Sequence, residues 1–200
     1  MSEIINVSII LSFIIGVISS YFVWWFLNKI ITPHIQFSEN ISKQKSSEAS
    51  SGRKYRVKLE NAGRRDIIDV DISVKLTIRG GLNSKRPNNL EITYLPCSFN
   101  GKIPIMKPAI NEKRRSIIRI DPNKKEEFIR AIYPKSIQEK AKEEKLTLDD
   151  LLELGSESYL EIIAMGYDKF SGARKVFVSK EFKKEDLIMK DFNKNSLEME

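Results

Sequence analysis

The chain has 200 residues, 41% hydrophobic and 30% charged, with a formal net charge of +7. That composition fits one ordinary domain plus an appendage and argues against wholesale disorder. A single cysteine, Cys97, excludes an internal disulfide framework and any multi-cysteine zinc or iron–sulfur site, and a single histidine, His34, leaves little for histidine-based catalysis or metal binding.

The first element is apolar. No charged residue lies between Glu3 and Lys29. The roughly 25 residues of Ile4–Asn28 would reach ~37 Å as a helix, enough to cross a ~30 Å hydrocarbon core with some tilt. Tyr21, Trp24, Trp25 and Lys29 gather at its C-terminal end, where aromatic rings and a cation suit the lipid–water boundary. A cleaved signal peptide needs a basic leader, and Met1–Asn6 has no Lys or Arg. Ile18-Ser19-Ser20 mimics a cleavage site, but YFVWWFL follows it at once. A retained transmembrane anchor is therefore the leading expectation, with a cleaved signal or a buried soluble helix as alternatives.

Ser8, Ser12, Gly16 and Ser20 recur at i, i+4 steps of this helix. Small residues on one stripe let two helix backbones approach, so the stripe predicts self-association without fixing the number of copies. All 34 Lys and Arg lie at or after Lys29, against 26 of the 27 Asp and Glu. The positive-inside rule then places the N-terminus outside and the long C-terminal part in the cytoplasm. One unpaired cysteine agrees with a reducing compartment. Basic residues soon after the helix, Lys29 and Lys43 among them, are candidates for contact with anionic lipid, against the plainer alternative of a solvated surface. A second basic group follows at Lys113, Arg114, Arg115, Arg119, Lys124 and Lys125. With no zinc-finger spacing, helix-turn-helix pattern or aromatic–basic motif, nucleic-acid binding is not expected.

After Pro33, Ile35-Gln36-Phe37 reads as a short strand, and the polar run Ser42–Gly52 as a loop. Tyr55, Val57 and Leu59 alternate with charged residues, a half-buried strand that turns at Asn61-Ala62-Gly63. Ile68, Val70, Ile72, Val74, Leu76 and Ile78 occupy every second position, which predicts one long strand with one face in a core. Gly80-Gly81 ends it, and Asn83–Asn89 is a polar loop. Leu90–Leu95 and Lys102–Met106 are shorter runs whose flanking and internal prolines suggest edge strands or turns. Cys97, between them, reads as a packing residue, and Arg115–Ile120 as another strand.

Asn123–Ala131 and Lys135–Lys145 have helical composition, divided by Pro134. A further helix begins at Thr147, which with Asp150 has the makings of a capping box, and stops at Gly155. Its charges are expected to face solvent. Tyr159–Tyr167 and Arg174–Phe182 read as a hairpin around Asp168–Gly172. Lys184–Leu187 suggests a turn of helix, and Asn193–Glu200 a frayed tail.

The predicted fold is mainly β: an antiparallel β-sandwich with a helical insertion at about 123–154, preceded by one transmembrane helix. The expected organisation is a membrane segment over 1–31, the sandwich over 32–192 and a tail over 193–200.

Several stretches resemble the cytoplasmic domain of inward-rectifier potassium channels. Thr32–Ser38 is similar to the segment leaving that family's inner helix, and Tyr55–Arg65 to the next strand and its basic turn. Asp66–Ile78 matches the following long strand. Gly166–Gly172 resembles the family's Gly-x-Asp hairpin, and Phe182–Leu187 its aromatic–acidic–aliphatic stretch. The resemblance implies an immunoglobulin-like sandwich that assembles as a tetramer. The departures are as definite. There is one apolar helix rather than two, no Thr-Val-Gly-Tyr-Gly filter, and a charged insertion where the family has Ser-Pro-Leu.

No phosphate-cradling glycine loop and no Gly-x-Ser-x-Gly elbow occurs. The acid pairs Asp69/Asp71 and Asp149/Asp150 read as surface charges. His34 reads as a boundary polar residue rather than a pH sensor. No cofactor, metal or catalytic role is expected. The sequence points to a membrane-anchored binding, assembly or sensing module whose partners are the bilayer, further copies of itself, an anionic lipid or an unidentified protein. The alternative is an auxiliary ion-channel component.

Overall fold

The computed structural model describes residues 2–29, 32–47, 51–80, 91–95, 97–110, 115–123, 134–193 and 197–199. The apolar segment is one helix, α1 (Ser2–Lys29), and its Ser8–Leu27 stretch is long and apolar enough to cross a membrane. None of that stretch is buried against the rest of the chain.

The remainder is mainly β, in two sheets. In the first, β3 (Arg53–Asn61) is central. β7 (Ser116–Ile120) runs along one side of it, and β1 (Ile35–Phe37) and β2 (Ile41–Lys45) share the other. In the second, the long β4 (Ile67–Arg79) has β8 (Glu157–Asp168) on one side. β5 (Glu91–Leu95) and β6 (Lys102–Met106) lie end to end on the other side of β4. β9 (Arg174–Val178) extends the sheet beyond β8 as the expected hairpin. Buried residues of both sheets, such as Tyr55, Val57 and Leu59 with Val74, Leu76 and Ile162, belong to one hydrophobic cluster.

The strict alternation expected of β4 breaks once. Ile67 and Val70 are both fully buried, while Ile68 turns to the opposite face. The cause is a bulge: the register with β8 shifts between Ile68 and Asp71, and Asp69 takes a positive φ of 49°. Pro104 of β6 falls opposite this irregularity, between the paired positions Ile105 and Ile103. A residue with no N–H is tolerated there, on a strand whose only ladder among the described residues is to β4.

Three expectations need correction. The segment read as a loop from Ser42 contains β2, which lacks an alternating apolar pattern because backbone pairing to β3 holds it rather than a hydrophobic face. The sheets are not wholly antiparallel, since β10 (Leu187–Ile188) pairs in parallel with β2. In the segment expected as a tail, Phe192 bridges Met199 and the Asn193 N–H donates to the Glu198 carbonyl. The charges of the helical insertion do not all face solvent, as Asp149 illustrates below.

The insertion belongs to the core. Within it lie α2 (Lys135–Lys142) and α3 (Leu148–Leu152). The expected helix at 123–131 lies, beyond Asn123, outside the described residues, as does the loop at 83–89. The Thr147–Asp150 capping box is present in both directions. It starts α3 so that Leu148 and Leu151 reach zero exposure, joined by Leu146, Ile137 and Ala141.

Candidate functional site

Two regions carry the residues singled out in the sequence. The first is α1. Ser8, Ser12, Gly16 and Ser20 are all exposed along it. The Ser12 hydroxyl donates to the Ser8 carbonyl at 2.8 Å, which meets its hydrogen-bonding need within the helix. Apart from its chain neighbours and the helix's own backbone, no atom lies within 4 Å of where a Gly16 side chain would begin, so that point of the helix is open to a close neighbour. The Tyr21 and Trp24 rings are tilted at a centroid distance of 6.0 Å, and Trp25 is exposed beside them. The side chain of Lys29 lies outside the described residues.

Lys43 does not present a free ammonium to a lipid surface. Its Nζ sits 2.5 Å from Asp149 Oδ1, and its side chain is 11% exposed. Asp149 also accepts from the Tyr55 hydroxyl at 2.8 Å and lies 3.7 Å from Arg53. Burial works to raise the Asp149 pKa. Hydrogen bonds from Lys43 and Tyr55, with the charges of Lys43 and Arg53, outweigh it and hold the carboxyl below its ordinary value. Tyr55 is pushed up, first by burial and then by its bond to Asp149. This cluster ties α3 to the first sheet.

The second region is a cleft of about 720 Å³ between β7 of the first sheet and β6 with the 3₁₀ turn Ser98–Gly101 before it. Arg56, Lys102, Arg115 and Arg119 line it, and no acidic residue does among the described residues. The strand register brings the first and last of these together: Arg56 of β3 stands directly opposite Arg119 of β7. Arg115 is neutralised by Glu60, with 2.5 Å between Nε and Oε2. Arg119 and Lys102 have no ion-pair partner among the described residues. The Ser98 hydroxyl oxygen accepts the Arg119 backbone N–H at 3.1 Å.

Arg56 is engaged by the C-terminal segment. From β10 onward the chain lies along the first sheet as a strap. The Ser42 hydroxyl donates to the Lys190 carbonyl at 2.5 Å, Arg56 Nη2 pairs with Asp191 Oδ1 at 2.5 Å, and Lys58 Nζ donates to the Asn193 carbonyl. Lys58 also lies 5.8 Å from the centroid of the Phe192 ring and is only 3% exposed. Burial, with the nearby Arg115 charge, pushes its ammonium pKa down.

The sequence places Arg56 among the basic residues that follow the helix and Arg115 and Arg119 in the second basic group, but gives no sign that the two groups would meet, or that Lys102 would join them. Residues so far apart in the chain meet through strand pairing, and no local pattern encodes that. His34 lies apart from this cleft, edge-on to Phe177 with ring centroids 5.9 Å apart. Among the described residues no three His, Cys, Asp or Glu side chains converge as a metal site. No protein-family model matches the chain, and a search of curated proteins returns no relative.

Proposed function

We propose that this is a single-pass membrane protein, N-terminus outside, whose cytoplasmic part is an immunoglobulin-like β-sandwich acting as a binding and assembly module. The observation that carries the reading is α1: a span of 20 residues, Ser8–Leu27, with none of it packed on the domain, joined to a strongly basic β domain. Apolar surface of this length is costly in water, at about 25 cal/mol per Å², and a bilayer relieves it. The aromatic cluster at Tyr21, Trp24 and Trp25 supports an interface at the C-terminal end. The open face at Gly16, in line with Ser8, Ser12 and Ser20, supports helix-to-helix contact between copies. Similarity of the strand wording to inward-rectifier cytoplasmic domains favours assembly as well.

The test is the mass of the full-length protein in nanodiscs. A defined oligomer that dissociates on Gly16→Leu supports the stripe as its seam. A monomer, or an oligomer indifferent to that substitution, overturns it. Labelling of an N-terminal tag from outside intact cells, with no access to a C-terminal one, checks the orientation.

A further inference from the structure

We propose that the cleft between β6 and β7 is a binding site for a phosphorylated small molecule, with Arg119 and Lys102 as its free cations and Arg56 as a third that Asp191 holds until the ligand arrives.

The cleft's size, about 720 Å³, falls within the ~300–1,000 Å³ of small-molecule sites. Among the described residues its lining holds four cations and no acid, and two of the cations, Arg119 and Lys102, have no ion-pair partner there. Like charges directly opposite on paired strands repel, and Arg56 and Arg119 are such a pair. Asp191 relieves Arg56 from one side, but it is itself 62% exposed, so water screens that pair. Nothing among the described residues relieves Arg119. A dianion seated between the two would relieve both, and guanidinium forks match phosphate oxygens with paired hydrogen bonds.

The neutral lining suits the rest of such a ligand. Ile72, Ile103, Pro104 and Ile118 supply apolar walls. Ser98 accepts from the Arg119 backbone, which leaves its own O–H to donate to a phosphate oxygen. The combination selects a phosphomonoester attached to an apolar or aromatic body. A soluble metabolite or the headgroup of a phosphomonoester lipid presents the same group. The strap adds a competitor: Asp191 and the ligand claim the same guanidinium, so binding and release of the strap's acidic contact are linked.

The test is calorimetric titration of phenyl phosphate into the full-length protein in phosphatidylcholine nanodiscs. Saturable binding is expected, tighter than for inorganic phosphate because of the apolar walls. Arg119→Ala and Lys102→Ala, both at exposed positions, should each weaken it at least about tenfold, the scale of a lost charged hydrogen bond. Lys145→Ala, exposed and outside the cleft, should not. Asp191→Asn should tighten binding by about two- to fivefold, as expected when a screened ion pair is released; a merely structural role for these residues would not produce a gain. Repetition in discs carrying phosphatidic acid identifies the source. Loss of phenyl phosphate binding there, beyond the loss in discs of equally charged phosphatidylglycerol, assigns the site to a lipid headgroup; retention assigns it to a soluble ligand. Absence of saturable binding in every disc, or equal affinity in the Arg119 and Lys102 variants and the parent, overturns the proposal. These outcomes are independent of the oligomeric mass, which tests the assembly reading.

Discussion

The Tyr55 hydroxyl donates to Asp149 Oδ2 at 2.8 Å, joining the buried face of β3 to the first turn of α3. With Lys43 on the other carboxylate oxygen, one acid of the insertion holds two strands of the first sheet. Replacing Asp149 with Ala leaves a buried hydroxyl and a nearly buried ammonium without their acceptor. The expected loss is about 1–3 kcal/mol at pH 7 by urea denaturation.

The same acid gives a pH dependence with a definite sign. Asp149 is depressed in the folded state, so its contribution is present above the unfolded carboxyl pKa of about 3.9 and disappears as pH falls through the lower folded value. The stability gap between the parent and Asp149→Asn should therefore be full at pH 6 and close below about pH 4. A gap that stays constant down to pH 3 would mean the ion pair contributes nothing.

Leu151 is at zero exposure although it sits in the segment that interrupts the strands. Leu151→Ala should cost about 2–5 kcal/mol, as for other fully buried leucines, and lower the thermal midpoint of the whole domain in one transition. A loss confined to a separate, weaker transition would show that the insertion folds by itself.

Two glycines separate backbone strain from collision. Gly52 and Gly155 both have positive φ, 66° and 68°. A side chain at Gly52 meets open space, so Gly52→Ala should cost about 1 kcal/mol, the usual penalty for a left-handed residue. At Gly155 it would also collide with the Arg79 carbonyl oxygen, so Gly155→Ala should cost clearly more. Equal midpoints for the two variants would contradict this geometry.

Burial pushes the Cys97 thiol up. Less thiolate at neutral pH means slower alkylation than for a free cysteine. Mass spectrometry of iodoacetamide-treated protein at pH 7.5 should find Cys97 largely unmodified, with labelling rising at higher pH or on denaturation.

Local patterns were legible wherever one segment contained its own cause. The apolar run of α1, the hairpin around Asp168, the capping box at Thr147 and most of β4 follow from periodicities and turn residues that neighbours in sequence supply. β2 was not legible: Ser-Lys-Gln-Lys carries no alternating apolar face, and pairing to β3 makes it a strand. The bulge at Asp69 was hidden for a related reason. An unbroken alternation describes side-chain types, whereas the register shift depends on the partner strands.

By itself, then, the sequence determined a membrane-length apolar helix, a basic β-rich remainder and the absence of familiar catalytic motifs. Composition and short-range periodicity act within a few residues and need no partner. Tertiary structure alone decided that Lys43 is spent on Asp149, that the C-terminal strap covers Lys58, and that Arg56 faces Arg119 across a cleft. These are electrostatic relationships between residues distant in sequence. They exist because strand pairing sets which charges meet, and a charge takes its role from what lies within a few ångströms.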